Sequence, residues 1–176
     1  MSHAAAEFVP LDLAVLTVSD SRDEASDSSG RFLAEAARDA GHRVRDKRIV
    51  PDDRYQIRAA VSVWIADPAI QVVLVTGGTG FSQRDGTPEA LAPLFDQHID
   101  GFGELFRHFS LEEIGSSTIQ SRALAGLANR TLIFVLPGST GACQTGWNRI
   151  IREQIDSRQR PCNFVGHLLG TTSGGQ

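Results

Sequence analysis

The stretch Ile70-Gln-Val-Val-Leu-Val-Thr76-Gly77-Gly78-Thr79-Gly80 decides how this chain is read. Its first seven residues are almost continuously apolar and rich in β-branched side chains, which suits a short strand covered on both faces. The abrupt change to glycine and threonine ends that strand at one edge of a sheet. The same grammar occurs twice more. Asp12-Leu-Ala-Val-Leu-Thr-Val-Ser19 gives way to the polar loop Ser19–Asp27, and Thr131-Leu-Ile-Phe-Val-Leu136 gives way to Pro137-Gly138-Ser139.

Helical signals lie between these runs. Ser29 to Ala40 carries Phe32, Leu33, Ala36, Ala37 and Ala40 at helical spacing and stops at Gly41. His42 to Val50 alternates as a further strand, and Pro51-Asp52-Asp53 opens a helix through Trp64. Pro88 favours a helix start after the polar Ser82–Thr87, residues 101–128 carry two or more short helical patterns, and 140–157 reads as a helix. Strands alternating with helices predict an α/β fold, a three-layer sandwich around a mostly parallel sheet. In such sheets a ligand binds outside the carboxyl ends of the strands, where the three polar loops are expected to meet. Residues 1–10 read as a flexible tail, 11–165 as the single α/β domain and 166–176 as a second flexible tail.

Composition narrows the chemistry. The 176 residues carry a net charge of −4, which argues against nucleic acid as a partner. No apolar run is long enough to span a membrane, and the first residues lack a secretion signal, so a cytoplasmic protein is expected. Cys143 and Cys162 stand far apart with no Cys-x-x-Cys pair, consistent with a reducing compartment. His42, His98, His108 and His167 show no metal-ligand spacing, and each is expected as a surface or half-buried residue. Sixteen arginines face a single lysine, Lys47. Lys47 follows no glycine loop, so neither a Walker loop nor a Schiff-base lysine is supported. The arginine excess reads either as compositional bias or as anion binding.

Thr76-Gly77-Gly78-Thr79-Gly80 is either a tight turn or an anion cradle built from backbone N–H groups. It matches neither Gly-x-Gly-x-x-Gly nor a Walker loop. Arg84-Asp85-Gly86-Thr87-Pro88-Glu89 follows at once. Asp85 is either a helix cap or a carboxylate holding Mg²⁺ against phosphate oxygens, and Glu89 is a first-turn acid. Arg84 is a candidate to neutralise charge on a transferred phosphoryl group. Asp52 is likewise either a cap or a second active carboxylate. Pro137-Gly138-Ser139 repeats the loop chemistry of the first cradle, and two such loops at one sheet edge suggest a ligand with separated phosphates.

These residues together resemble a known family. Thr76-Gly-Gly-Thr-Gly80 followed by Arg84-Asp85-x-Thr87-Pro88-Glu89-Ala90 is similar to the signature of molybdenum cofactor biosynthesis proteins of the MoaB/MogA type. Gly101-Phe-Gly-Glu104, Ser110, Ser121-Arg122, Leu136-Pro-Gly-Ser139 and Pro161-Cys-Asn-Phe164 extend the resemblance over residues 11 to 165, and the 121–126 and 161–164 segments look more like the MoaB branch. In one departure, Asp100 stands where the family often has proline, which loosens a loop beside the expected site.

The resemblance implies a molybdopterin-binding fold assembled as a trimer or a dimer of trimers. It implies molybdopterin as substrate, Mg²⁺ with ATP as co-substrate, and adenylylation of molybdopterin with release of pyrophosphate. Carried over by position, Asp52 and Asp85 match the acids of that reaction, with Asp85 the metal-holding candidate. Gly77 to Gly80 with Thr76, and Pro137 to Ser139, match loops lining the ligand site, while Thr87, Glu89, Glu104 and Ser110 match further positions near it. The competing expectations are a non-catalytic molybdopterin carrier and a purely structural oligomer subunit. In the last, Phe102 to Phe109 forms either an interface patch or plain core.

Overall fold

The computed structural model describes residues 7–170, so the tail expectations for 1–6 and 171–176 lie outside the described residues. The sheet has six strands, β1 (Asp12–Val18), β2 (Arg43–Val50), β3 (Val72–Thr76), β4 (Gln97–His98), β5 (Leu124–Ala128) and β6 (Thr131–Leu136), in the order β2-β1-β3-β6-β5-β4. The four strands β2, β1, β3 and β6 run parallel, whereas β5 is reversed and pairs antiparallel with β6 on one side and β4 on the other. Every residue of β1, β3 and β6 is buried, as unbroken apolar runs require when helices cover both faces.

Alternation along each strand divides the core in two. Leu13 and Val15 pack on one face with Leu33, Phe106, Phe134 and Trp147; Ala14 and Leu16 pack on the other with Val61, Trp64 and Val73. The first layer comes from α1 (Ser28–Asp39), α4 (Asp100–Ile114) and α5 (Thr140–Gly146), the second from α2 (Arg54–Ala66) and α3 (Thr87–Leu91). The helix begun by α5 continues as a wider π turn over Trp147–Ile151 and ends in α6 (Arg152–Gln154).

Several expectations are corrected. Residues 101–128 are not a series of short helices: α4 is continuous, a 3₁₀ stretch Gly115–Gln120 follows, and β5 closes the segment. Leu124-Ala-Gly-Leu-Ala128 has helix-forming composition, yet it is folded back onto β6 by a two-residue turn. Asn129 and Arg130 both have positive φ, 46° and 67°, the geometry of a hairpin turn whose twist matches the strands. Asp100 loosens no loop, because it is the first residue of α4, where a carboxylate complements the helix dipole. Phe102 and Phe106 belong to the core rather than to a surface patch. His42 is buried, against the expectation of a surface or half-buried histidine, beneath the ring of Phe8.

The described parts of the two expected tails are packed. Val9 lies against the core and donates its N–H to Ser157 Oγ at 2.9 Å. At the other end, residues 165–169 form the short helix α7 (Val165–Leu169) with Val165 and Leu168 buried. No helix among the described residues is long and apolar enough to cross a membrane.

Candidate functional site

Parallel register brings the three polar loops together. Thr17 of β1 pairs with Thr76 of β3, and Thr76 pairs with Leu136 of β6, so the loops that follow leave the sheet side by side. Between them and the C-terminal half of α4 lies a cavity of about 680 Å³. Of the residues singled out in the sequence, Thr76 to Gly80, Asp85, Ser110 and Pro137 to Ser139 line it. Asp52, Thr87, Glu89 and Glu104 do not.

Glycine is required in the first loop for two separate reasons. Gly77 has φ +101° and passes so close to β1 that a Cβ would lie 2.2 Å from the Val18 carbonyl oxygen. Gly78 has φ +66°, and a Cβ there would lie 2.2 Å from Thr87 Oγ1 and 2.7 Å from Asp52 Oδ2. The next carbonyls are held by one side chain. Arg122 donates from Nε to Thr79 O at 3.0 Å and from Nη2 to Gly80 O at 2.6 Å and Asp85 O at 2.9 Å. Its Nη1 pairs with Glu89. Glu89 therefore braces the loop through Arg122 from outside the cavity.

The acids differ in environment. Asp85 Oδ2 accepts the Ser82 N–H at 2.9 Å. Hydrogen bonding by Ser82 holds its carboxyl below the usual range against the opposing effect of burial, with help from the Gly80 N–H and the Arg122 charge. Asp52 is not the cap of α2: Asp53 takes that role, accepting the N–H groups of Tyr55 and Gln56. Asp52 instead accepts the Gly86 N–H at 3.1 Å through Oδ1. Burial, reinforced by the charges of Asp85 and Asp20, pushes its carboxyl above the usual range despite the Gly86 bond and Arg84. Thr87 is fully buried beside it, and Thr87 Oγ1 has no hydrogen-bond partner among the described residues.

Arg84 does not serve the cavity as anticipated. Its guanidinium clasps both oxygens of Asp20, at 3.0 and 2.7 Å, and is thereby neutralised. Glu104 is exposed on α4. Phe102, Phe106 and Ser110 recur every fourth residue and face inward, which leaves Glu104 on the other side of the helix. Among the described residues no group of three or more His, Cys, Asp or Glu side chains is arranged to hold a metal.

Other side chains around the cavity were not named as site candidates from the sequence. Thr17, Arg22, Glu113 and Ser121 also line the cavity. Asp27, wholly buried, caps α1 by accepting the Gly30 N–H at 2.9 Å. The signal available in advance was its position just before Ser-Ser-Gly at the start of a helical pattern. Beneath the loops, the Cys143 thiol donates to Thr76 Oγ1 at 3.2 Å, and burial pushes it up to about 11, which makes it an unreactive structural group.

This architecture is matched by known proteins. A family model described as a probable molybdopterin binding domain matches residues 14–157. Molybdenum cofactor biosynthesis protein B of Escherichia coli (strain K12) is 58% identical over 168 residues, covering 96% of this chain and 99% of that protein. A crystal structure of a molybdenum cofactor biosynthesis protein B superposes with TM-score 0.82 at 40% identity, covering 94% of this chain and 96% of the other. A tungsten cofactor synthesizing protein MoaB from Pyrococcus furiosus gives TM-score 0.73 at 37% identity, covering 80% and 90%.

Proposed function

The chain belongs to the molybdopterin-binding domain family of molybdenum cofactor biosynthesis proteins, and from that premise we propose that it binds molybdopterin in the cavity and adenylylates it with ATP. One observation carries the reading: parallel register gathers two glycine loops and the Asp85 carboxylate around a single cavity at the carboxyl edge of the sheet. An oxygen of molybdopterin's terminal phosphate attacks the α-phosphorus of ATP. A new P–O bond forms, the bond from the α-phosphorus to the bridging oxygen breaks, and pyrophosphate leaves with that electron pair. The nucleophile is already ionised, so no strong base is needed. Positioning and charge neutralisation supply most of the acceleration.

The residues fit a hard divalent cation. Asp52 Oδ2 and the unpartnered Thr87 Oγ1 both lie over Gly78, and Asp85 is close enough for its charge to act on Asp52. Magnesium is commonly held by one or two carboxylates together with substrate phosphates, so a third protein ligand is not required. When bound, it would neutralise charge on the departing pyrophosphate. Asp52 holds the Gly86 N–H, Asp85 holds Ser82, and Arg122 fixes the loop between them. The chain's own contribution is therefore a preset site rather than proton transfer.

A second reading, a non-catalytic molybdopterin carrier of the MoaB branch, is favoured by the pairing of Arg84 with Asp20, which removes that arginine from phosphoryl chemistry. Incubation with molybdopterin and Mg-ATP decides between them. The enzyme releases pyrophosphate and adenylylated pterin, and Asp85→Ala abolishes both. The carrier binds without turnover, and Asp85→Ala leaves its binding largely intact. We also propose a cytoplasmic homo-oligomer, a trimer or a dimer of trimers. Leu111 and Ile114 share one side of α4 and are 52% and 54% exposed, with Ile119 80% exposed just beyond. Sedimentation over a range of protein concentrations tests that assembly.

A further inference from the structure

Arg22 is the one cation among the described residues lining the cavity, and we infer that it reads the terminal phosphate of the ligand and so sets the site's preference for a phosphorylated pterin. This rests on the molybdopterin reading above. The cavity is otherwise anionic or neutral, its remaining charged lining being Asp85 and Glu113. Among the charged side chains of this lining, a phosphate monoester is repelled by both carboxylates and attracted by Arg22, which adds a charge to what the loop N–H groups offer.

The charge of Arg22 is available because of an arrangement behind it. Its nearest carboxylate, Asp27, lies 3.9 Å away and is fully buried. That carboxylate is already satisfied by Lys47 Nζ at 2.9 Å, by the Thr17 hydroxyl at 2.9 Å and by the Gly30 N–H. Lys47 also meets Glu24 at 2.9 Å, but that carboxylate is 74% exposed and screened by solvent, so Arg22 is held near an acid whose charge is matched chiefly by Lys47. Among the described residues its guanidinium makes one hydrogen bond, from Nη1 to the neutral Ser29 Oγ at 3.0 Å. The contrast with Arg84 is direct, since Arg84 gives both donors of its fork to Asp20.

Position supports the assignment. Ser29 Oγ in turn donates to the Gly138 carbonyl at 2.8 Å, and the Ser28 and Thr140 hydroxyls meet at 2.8 Å. Arg22 thus stands where the first and third polar loops join. A planar guanidinium with free donors matches two oxygens of a phosphate monoester, which an ammonium group does not. A pterin lacking the phosphate gains nothing from it.

The test compares wild type, Arg22→Gln and Arg22→Lys. Binding of molybdopterin, and of molybdopterin dephosphorylated by phosphatase, is measured by equilibrium titration, with thermal melting as a check on folding. Arg22 is half-exposed in a loop, so all three proteins are expected to melt alike. Arg22→Gln weakens molybdopterin binding about 10- to 100-fold, and Arg22→Lys by less. The dephosphorylated form binds wild type and Arg22→Gln equally. Wild-type affinity for molybdopterin in Arg22→Gln overturns the inference and leaves the proposed function standing. Equal loss for both forms of the pterin also overturns it, because the residue would then be merely structural. Failure of the wild-type protein to bind molybdopterin at all overturns the proposed function, and the inference with it.

Discussion

Lys47 Nζ lies 2.9 Å from Oδ2 of Asp27, a carboxylate with no exposed surface, so the one lysine in the sequence neutralises a buried acid. Burial pushes the Asp27 carboxyl up, but Lys47, the Gly30 N–H and the Thr17 hydroxyl outweigh it, and the net displacement is downward. Removing one partner of such a pair strands the other in a low-dielectric interior. Lys47→Met is therefore expected to cost about 2–4 kcal/mol, read from the urea unfolding midpoint. It should also weaken ligand binding, because Asp27 then draws Arg22 away from the cavity. A loss below about 0.5 kcal/mol would show that Arg22 or Thr17 satisfies Asp27 unaided.

Arg122 and the glycine loop give a second prediction. Three backbone carbonyls converge on one guanidinium, and a lysine ammonium cannot reproduce that planar fork. Arg122→Lys is expected to weaken molybdopterin binding about 10-fold or more while leaving most of the folding stability intact. Amide exchange across residues 79–85 should accelerate. The Glu89 side chain is 47% exposed, so Glu89→Gln is expected to change stability by no more than about 1 kcal/mol. If Arg122→Lys leaves both the exchange pattern and the affinity unchanged, the clasp does not organise the site.

Asp52 separates function from stability. Its carboxylate is raised by burial and by two neighbouring acids, which means that the charged form is disfavoured in the free protein. Asparagine keeps an oxygen for the Gly86 N–H and removes the charge. Asp52→Asn is therefore expected to melt at the same temperature as wild type or higher, yet to lose adenylylation by about 100-fold or more. A lower melting temperature would mean that the carboxylate is held for structural reasons.

What could be read in advance follows from which interactions are local. The strands β1, β3 and β6 were legible because burial on both faces leaves an unbroken apolar run, and the loops after them because glycine and hydroxyl residues end each run abruptly. Strand β5 was not, since Leu124-Ala-Gly-Leu-Ala128 has helical composition and its fate depends on positive φ at Asn129 and Arg130. Asp52 and Asp53 adjoin in sequence, and only the structure shows that Asp53 caps α2 while Asp52 turns to Gly86. Arg22 looked like any of sixteen arginines. What distinguishes it is that Lys47, twenty-five positions later, has already taken Asp27. Long-range pairing of that kind leaves no trace in residue spacing.

His42 supplies the pH dependence. It is buried, its Nδ1 accepts the Leu11 N–H at 3.1 Å, and the Phe8 ring packs over it with a centroid separation of 5.2 Å. Burial lowers its pKa from the ordinary 6.5, only partly opposed by the Asp156 charge, while Arg43 adds to the lowering. The unfolded chain therefore takes up a proton at a higher pH than the folded one. The stability held by neutral His42 is complete above about pH 6.5 and is lost as pH falls through that value toward the folded pKa. Asp12, Asp27 and Asp156 are also lowered, but from an ordinary value of 3.8, so their losses begin only in more acidic solution. Between pH 7.5 and 5.5 the melting temperature of wild type should fall, and the slope should flatten in His42→Gln, whose side chain still offers an acceptor to Leu11 but does not titrate. Protonation also ends the acceptor role of Nδ1. Residues 7–11, tied down by the Val9 N–H to Ser157, should then show lower amide protection, relative to the intrinsic exchange rate at each pH, at pH 5.5 than at pH 7.5. Equal slopes for the two proteins across that window would show that His42 is not the titrating group.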